Sequence, residues 1–137
     1  MSEQDLIELL KLGFHHAGDF SLVGKKIQFV LSQNKNDRGA YAFVVDQTVK
    51  YMGVTKNTLY ARMNGYRNPG PSQETNKRIN PKIAKARRVQ IYFIPESKIA
   101  EYVTIIRRKK IEKQLPTDMS TFERFLISMF KPEWNRG

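Results

Sequence analysis

At 137 residues the chain has the length of one domain, enough to bury a single core. Lys and Arg number 24 against 13 Asp and Glu, giving a formal net charge of +11 and a sequence pI near 10.0. A surplus of that size calls for a polyanionic partner, either nucleic acid or an anionic membrane surface. No apolar run approaches the roughly 20 residues of a spanning helix, and the start lacks the pattern of a signal peptide. The charge recurs through loops, strand flanks and helices rather than on one amphipathic helix, so nucleic acid is the expected partner and a membrane is not. The absence of cysteine excludes disulfides, thiol catalysis and thiolate zinc sites. The two histidines, His15 and His16, are adjacent and read as surface residues, because neighbours on a helix do not face the same way.

In chain order, residues 3–12 with Leu6, Ile7, Leu9 and Leu10 read as a short amphipathic helix with Ser2 as N-cap. The apolar stretch from Val23 to Leu31 is too short to assign. Gln33 to Gly39 is polar and turn-like, and it marks the entry to a central unit. That unit opens with a strand over Ala40–Val45, turns at Asp46-Gln47-Thr48, and returns as an antiparallel partner over Val49–Val54. Thr55 or Asn57 is placed to cap a helix through Leu59, Arg62 and Met63 that ends near Gly65. Arg67 to Pro81, with Pro69, Pro71 and Pro81, reads as a long polar functional loop. Arg88–Pro95 is a third strand, and helices are expected over 98–115 and 117–130, the second stopped by Pro132. The order implies an α+β fold with a small three-stranded antiparallel sheet flanked by helices, and an N-terminal helical extension. The domain boundaries expected are 1–38 for the extension and 39–137 for the central domain.

Gly39-Ala40-Tyr41 and Tyr51-Met52-Gly53 resemble the paired signature of the GIY-YIG nucleases, with one half on each of the first two strands of the central unit. Arg62 falls in the following helix where that family keeps an arginine, and Tyr66 stands four residues on, where its members carry Tyr or His. Glu123, then Leu126-Ile127, then Pro132, Trp134 and Asn135 resemble the family's C-terminal pattern, matching the excision-repair incision nucleases in spacing. The resemblance covers about residues 39–135. It implies a DNA endonuclease in the cytoplasm of a bacterial or phage-infected cell. One departure is visible. Eleven positions separate Tyr51 from Arg62, one more than in the repair and homing members, so Val54 takes the place of the family lysine and Lys56 is only a shifted counterpart. The longer spacing and the polar loop resemble the stand-alone restriction and phage branches.

Cutting a phosphodiester takes a water nucleophile, a base for its proton, and cations on the phosphate and leaving oxygen. By resemblance, Glu123 holds a divalent ion, Mg²⁺ or another such as Mn²⁺, whose remaining ligands are water and the scissile phosphate. Arg62 grips that phosphate with its planar fork. Tyr41 is the general base and Tyr51 helps place the water. A phenol is a poor base near neutrality unless a cation such as Arg62 or the metal draws its pKa down. Tyr66 joins this catalytic set, and Asn135 braces the site by hydrogen bonding. Lys56, Arg67, Lys77, Arg78 and Lys82 are the expected DNA-phosphate contacts, and Arg107-Arg108-Lys109-Lys110 reads as a solvated helix face able to widen the footprint.

Each assignment has a structural rival. Glu123 would close a capping box with Ser120, although Met119, Leu126, Ile127 and Phe130 lie on its own helical face, a costly place for a carboxylate lacking a cation. Tyr41 and Tyr51 would serve equally as sheet aromatics, and Trp134 reads as core packing. Two other function classes compete. Residues 47–65 fit a helix-turn-helix with Asn57–Asn64 as recognition helix, making the chain a non-catalytic DNA-binding regulator. A basic structural module for RNA is the other. Since one chain carries one active site, a double-strand cut implies a homo-oligomer or two encounters.

Overall fold

A computed structural model describes residues 2–101 and 119–135. Helix α1 (Ser2–Lys11) leads into strands β1 (His15–Val23) and β2 (Lys26–Leu31), followed by β3 (Gly39–Val45) and β4 (Thr48–Thr55). Helices α2 (Leu59–Arg67) and α3 (Glu74–Ala86) precede β5 (Arg88–Pro95). A helical segment begins at 96 and is described to 101, and α4 (Met119–Phe130) is followed by a 3₁₀ turn at Glu133–Asn135. All strands join one sheet in the order β2-β1-β5-β3-β4, and every neighbouring pair is antiparallel.

The sheet is sandwiched between two helical layers. One face carries Phe20, Tyr41, Phe43, Tyr51, Ile91 and Phe93 against Leu59, Met63 and Tyr66 of α2 and Ile79 and Ile83 of α3. The other carries Ala40, Ala42, Val44, Met52 and Ile94 against Leu9 of α1 and Met119, Phe122 and Leu126 of α4. This explains why β3 is apolar at nearly every position: it is central and covered on both faces, so alternation is not required of it. Its hairpin to β4 closes at Asp46 and Gln47, both with positive φ (49° and 67°), the twist that suits a two-residue hairpin loop. A bulge at Lys50 resets the register between Phe43↔Tyr51 and Val44↔Val49, keeping Tyr51 and Val49 on opposite faces.

Four expectations are corrected. The sheet has five strands, not three, because the stretch read as a helical extension is one helix and then the β1–β2 hairpin, with β1 pairing directly to β5. That strand was hidden by His15, His16, Gly18 and Asp19, poor strand formers, and by a register break between His16 and Gly18. At Gly18 a Cβ would lie 2.1 Å from the Val30 carbonyl oxygen, so only glycine lets β2 approach. Second, most of the polar segment 67–81 is not loop. Helix α3 starts at Glu74 and runs through Pro81, whose exposed ring forfeits one intrahelical bond, while Asn76, Ile79 and Ile83 supply the buried stripe. Third, the cap of α2 is Thr58, whose hydroxyl accepts from the Ala61 N–H at 3.1 Å, and Gly65 lies inside the helix. Fourth, the helix-turn-helix needs a helix before the turn, and residues 48–55 are strand β4. The predicted helix over 98–115 is described only to 101, and the Arg107–Lys110 run lies outside the described residues. Among the described residues no helix is long and apolar enough to cross a membrane.

Candidate active site at the β4 edge

Strand β4 ends the sheet, so its outward N–H and C=O groups have no strand partner, and side chains satisfy them instead. Asp5 accepts from the Val49 N–H at 3.0 Å. The Asn135 amide accepts from the Met52 N–H and donates to the Met52 carbonyl, both at 2.9 Å, imitating one residue of a sixth strand. The Val54 N–H faces the Glu123 carboxylate closely enough to lower its pKa. Asn135 thus has a bracing geometry, and Glu123 faces the sheet. Ser120 lies inside α4, which begins at Met119, so it is not the N-cap that a capping box requires.

The other sheet face brings the aromatics together. Tyr41 is paired with Gly53 and Phe43 with Tyr51, which puts the Tyr41 and Tyr51 rings on one face with centroids 6.3 Å apart. Tyr66 descends from α2 onto both, at 6.1 Å from each ring. Leu59, Met63 and Tyr66 form the buried stripe of α2, and Arg62 flanks it at the seam between helix and sheet. From there its guanidinium reaches both phenols. Nε donates to the Tyr41 oxygen at 3.0 Å, Nη2 to the Tyr66 oxygen at 2.8 Å, and Nη1 to Asn76 Oδ1 at 2.6 Å. The two phenol oxygens are 2.7 Å apart.

These contacts set the electrostatics. Burial pushes the Tyr41 phenol well above its ordinary range; the Arg62 charge and the hydrogen bonds from Tyr66 and Arg62 pull it back without overcoming burial. Tyr66 is raised for the same first reason. Arg62 remains a cation: desolvation opposes its charge, and the phenol oxygens of Tyr41 and Tyr66 outweigh that and raise its pKa. Glu123 is raised by partial burial, opposed by the Val54 N–H and the charges of Arg62 and Arg124. Arg62 thus stands on α2 over one face of the sheet and Glu123 on α4 over the other, and the Arg62 charge is among the influences that lower the Glu123 pKa. Tyr41, Tyr51 and Tyr66 are almost wholly enclosed, whereas Arg62 and Glu123 reach solvent.

The expected DNA contacts are more scattered. Lys56 is exposed just after β4, and Arg67 is exposed at the end of α2 with Nε and Nη2 on Asn64 Oδ1. Lys77 donates to the Pro71 carbonyl at 3.1 Å, and Arg78 donates to the Trp134 carbonyl, tying α3 to the C-terminal turn. Lys82 lies half-buried on α3. Two features escaped the sequence reading. One is a cleft of about 450 Å³ between the β1–β2 turn, the end of α2 and α3, lined by Lys25, Lys26, Arg67, Asn68 and Asn80 with no acidic side chain. The other is Asn76, a buried asparagine on the Arg62 guanidinium. A glycine inside α2, at Gly65, was its only trace in the sequence, because a helix-interior glycine implies a packing reason.

No family model matches the sequence, and none of the curated proteins matches it. Two solved structures share the arrangement. Restriction endonuclease HPY188I in complex with product DNA aligns at a TM-score of 0.54 and 18% identity, over 82% of this chain and 84% of that one. A mutant of EndoII from bacteriophage T4 aligns at a TM-score of 0.63 and 16% identity, over 98% of this chain and 99% of that one. At these identities the likeness is one of fold, and for the phage protein it extends over nearly the whole length of both chains.

Proposed function

We propose that the chain is a metal-dependent DNA endonuclease of the GIY-YIG type, acting on a phosphodiester seated at the β4 edge. One observation carries the reading: the Arg62 guanidinium, which reaches solvent, is hydrogen-bonded to two buried phenols, those of Tyr41 and Tyr66. The resemblance supplies Glu123, half-exposed on α4 over the opposite face of the sheet, as the carboxylate of the same site. Two endonucleases sharing the fold and the net charge of +11 support it.

In this reading Arg62 uses the two N–H donors outside the Tyr41, Tyr66 and Asn76 bonds to hold phosphate oxygens. Tyr41, having first released its own proton to solvent, takes as phenolate the proton of the attacking water while the water oxygen bonds to phosphorus and the bond to the leaving oxygen breaks. With the Tyr66 hydroxyl donating, the Tyr41 oxygen collects two hydrogen bonds, and both favour the phenolate it must become. Tyr51, the neighbouring ring, places the water, and Asn135 keeps the β4 edge in register.

Glu123 suits a hard divalent cation. Among the described residues no three His, Cys, Asp or Glu side chains stand together, so the fitting ion is one that keeps most of its shell as water and substrate oxygen, as Mg²⁺ does; Mn²⁺ would serve. When bound, such an ion stabilises charge on the phosphate and the leaving oxygen. Lys56, Arg67, Lys77, Arg78 and Lys82, with Lys25 and Lys26 of the basic cleft, contact DNA phosphates. Two chains, or two encounters, make a double-strand cut.

The deciding experiment incubates plasmid DNA and Mg²⁺ with the protein and with Glu123→Ala. Cutting by the first and binding without cutting by the second is the expected result. DNA binding with no nicking by the native sequence under any divalent ion would sink the proposal.

A further inference from the structure

Arg62 is held from behind. Its Nη1 donates to Asn76 Oδ1 at 2.6 Å, and Asn76 is 3% exposed, one of two buried polar residues among those described. The Asn76 amide nitrogen donates to Gln73 Oε1 at 2.8 Å, and the same Gln73 oxygen accepts from the Gly70 N–H at 2.8 Å. A continuous chain of hydrogen bonds therefore runs from the α2–α3 connection, through the first turn of α3, to the guanidinium. Gly65 makes room for it, since a Cβ there would stand 2.9 Å from Asn76 Nδ2. A glycine in a helix interior and a buried asparagine are each unfavourable alone. Together they place one acceptor against one nitrogen of Arg62.

We infer that Asn76, oriented by Gln73, is a positioning residue that fixes the Arg62 fork for its phosphate, and that the α2–α3 connection thereby governs the site. This rests on the nuclease reading for its consequence but not for its geometry. Without Asn76 the guanidinium is held only along its Tyr41 and Tyr66 edge, so rotation about Nε–Cζ, which exchanges Nη1 and Nη2, has one hydrogen bond fewer to break. Arg62 then still attracts a phosphate, but it meets the developing charge less often in the aligned geometry.

Two arms test this on the full chain. In the first, arginine side-chain ¹⁵N NMR of the DNA-free protein reads hindered rotation of the Arg62 guanidinium. Distinct Nη signals are expected in the native sequence and in Asn76→Asp, which keeps the acceptor, and averaged signals in Asn76→Ala. Signals equally hindered in Asn76→Ala overturn the inference, and this arm stands whether or not DNA is cut. In the second arm, Asn76→Ala lowers kcat by roughly tenfold or more and changes KM for DNA by less than about threefold. Gln73→Ala, at an exposed position that leaves the core intact, moves kcat the same way by less. If Asn76→Ala leaves kcat unchanged, or raises KM for DNA by as large a factor as it lowers kcat, its role is structural and the inference fails. A native protein that never cuts DNA ends the nuclease reading, and the NMR arm still decides whether Asn76 fixes Arg62.

Discussion

The Tyr41 ring rests on Gly53: a Cβ on that glycine would stand 2.5 Å from the phenol oxygen and 2.6 Å from Cζ. The two residues are register partners on β3 and β4, so the absence of a side chain at one is the space occupied by the other. Gly53→Ala should displace the Tyr41 ring from Arg62, cost about 1–3 kcal/mol of stability as overpacking, and abolish cleavage. Urea denaturation beside a plasmid assay measures both. A variant of native stability and activity would show that Tyr41 does not need its observed place.

Glu123 gives a linkage test. Its carboxyl is raised, first by burial, so the ionised form is disfavoured in the folded protein. The sign follows: this group's contribution is fully present below the carboxylate pKa of the unfolded chain, about 4.3, and is lost as pH rises through the higher folded value. Glu123→Gln should therefore raise Tm of the ion-free protein at neutral pH, with the gain fading in acid. Mg²⁺ should raise Tm of the native sequence and leave Glu123→Gln unmoved. The reverse pattern would remove Glu123 as the ligand.

Tyr41 sets the alkaline behaviour. A base held neutral by burial gains active fraction as pH rises, so log kcat should climb with a slope of about one through pH 7–9 without a plateau. Tyr41→Phe should abolish cleavage. It should also soften alkaline unfolding, because a raised phenol contributes stability below about pH 10 that is lost as pH rises through its folded value. A flat pH–rate profile would point to another base.

Asn135 satisfies both outward backbone groups of Met52. Asn135→Ala should cost about 1–3 kcal/mol, speed amide exchange at Met52, and reduce cleavage without eliminating it. Normal exchange at that amide would mean water replaces Asn135 at no penalty.

The basic cleft is probed by salt. If Lys25 and Lys26 meet DNA phosphates, their joint replacement by alanine should flatten the plot of log binding constant against log salt by roughly 0.9 per lost contact. Cleavage at low salt should survive, since neither residue lies at the β4 edge. An unchanged slope would leave that cleft off the DNA path.

The β3–β4 hairpin was legible in the sequence because a buried strand, a two-residue turn and an alternating return are local patterns. The helix that carries Arg62 was legible for the same reason, from Leu59 and Met63, but its cap at Thr58 and its continuation past Gly65 to Tyr66 and Arg67 were not. What only the tertiary structure decided is non-local. β1 is a strand because β2 and β5 hydrogen-bond to it, and its own residues argue against it. α3 forms across Pro81 because Ile79 and Ile83 find a core and Asn76 finds Arg62. Arg62 and Glu123 come to opposite faces of the sheet because a helical layer closes on each. Hydrophobic period and turn chemistry act over a few residues, so they specify the elements. Burial and hydrogen-bond satisfaction act between elements, and they alone join Tyr41 to Arg62 on one face of the sheet and set the helix of Glu123 on the other.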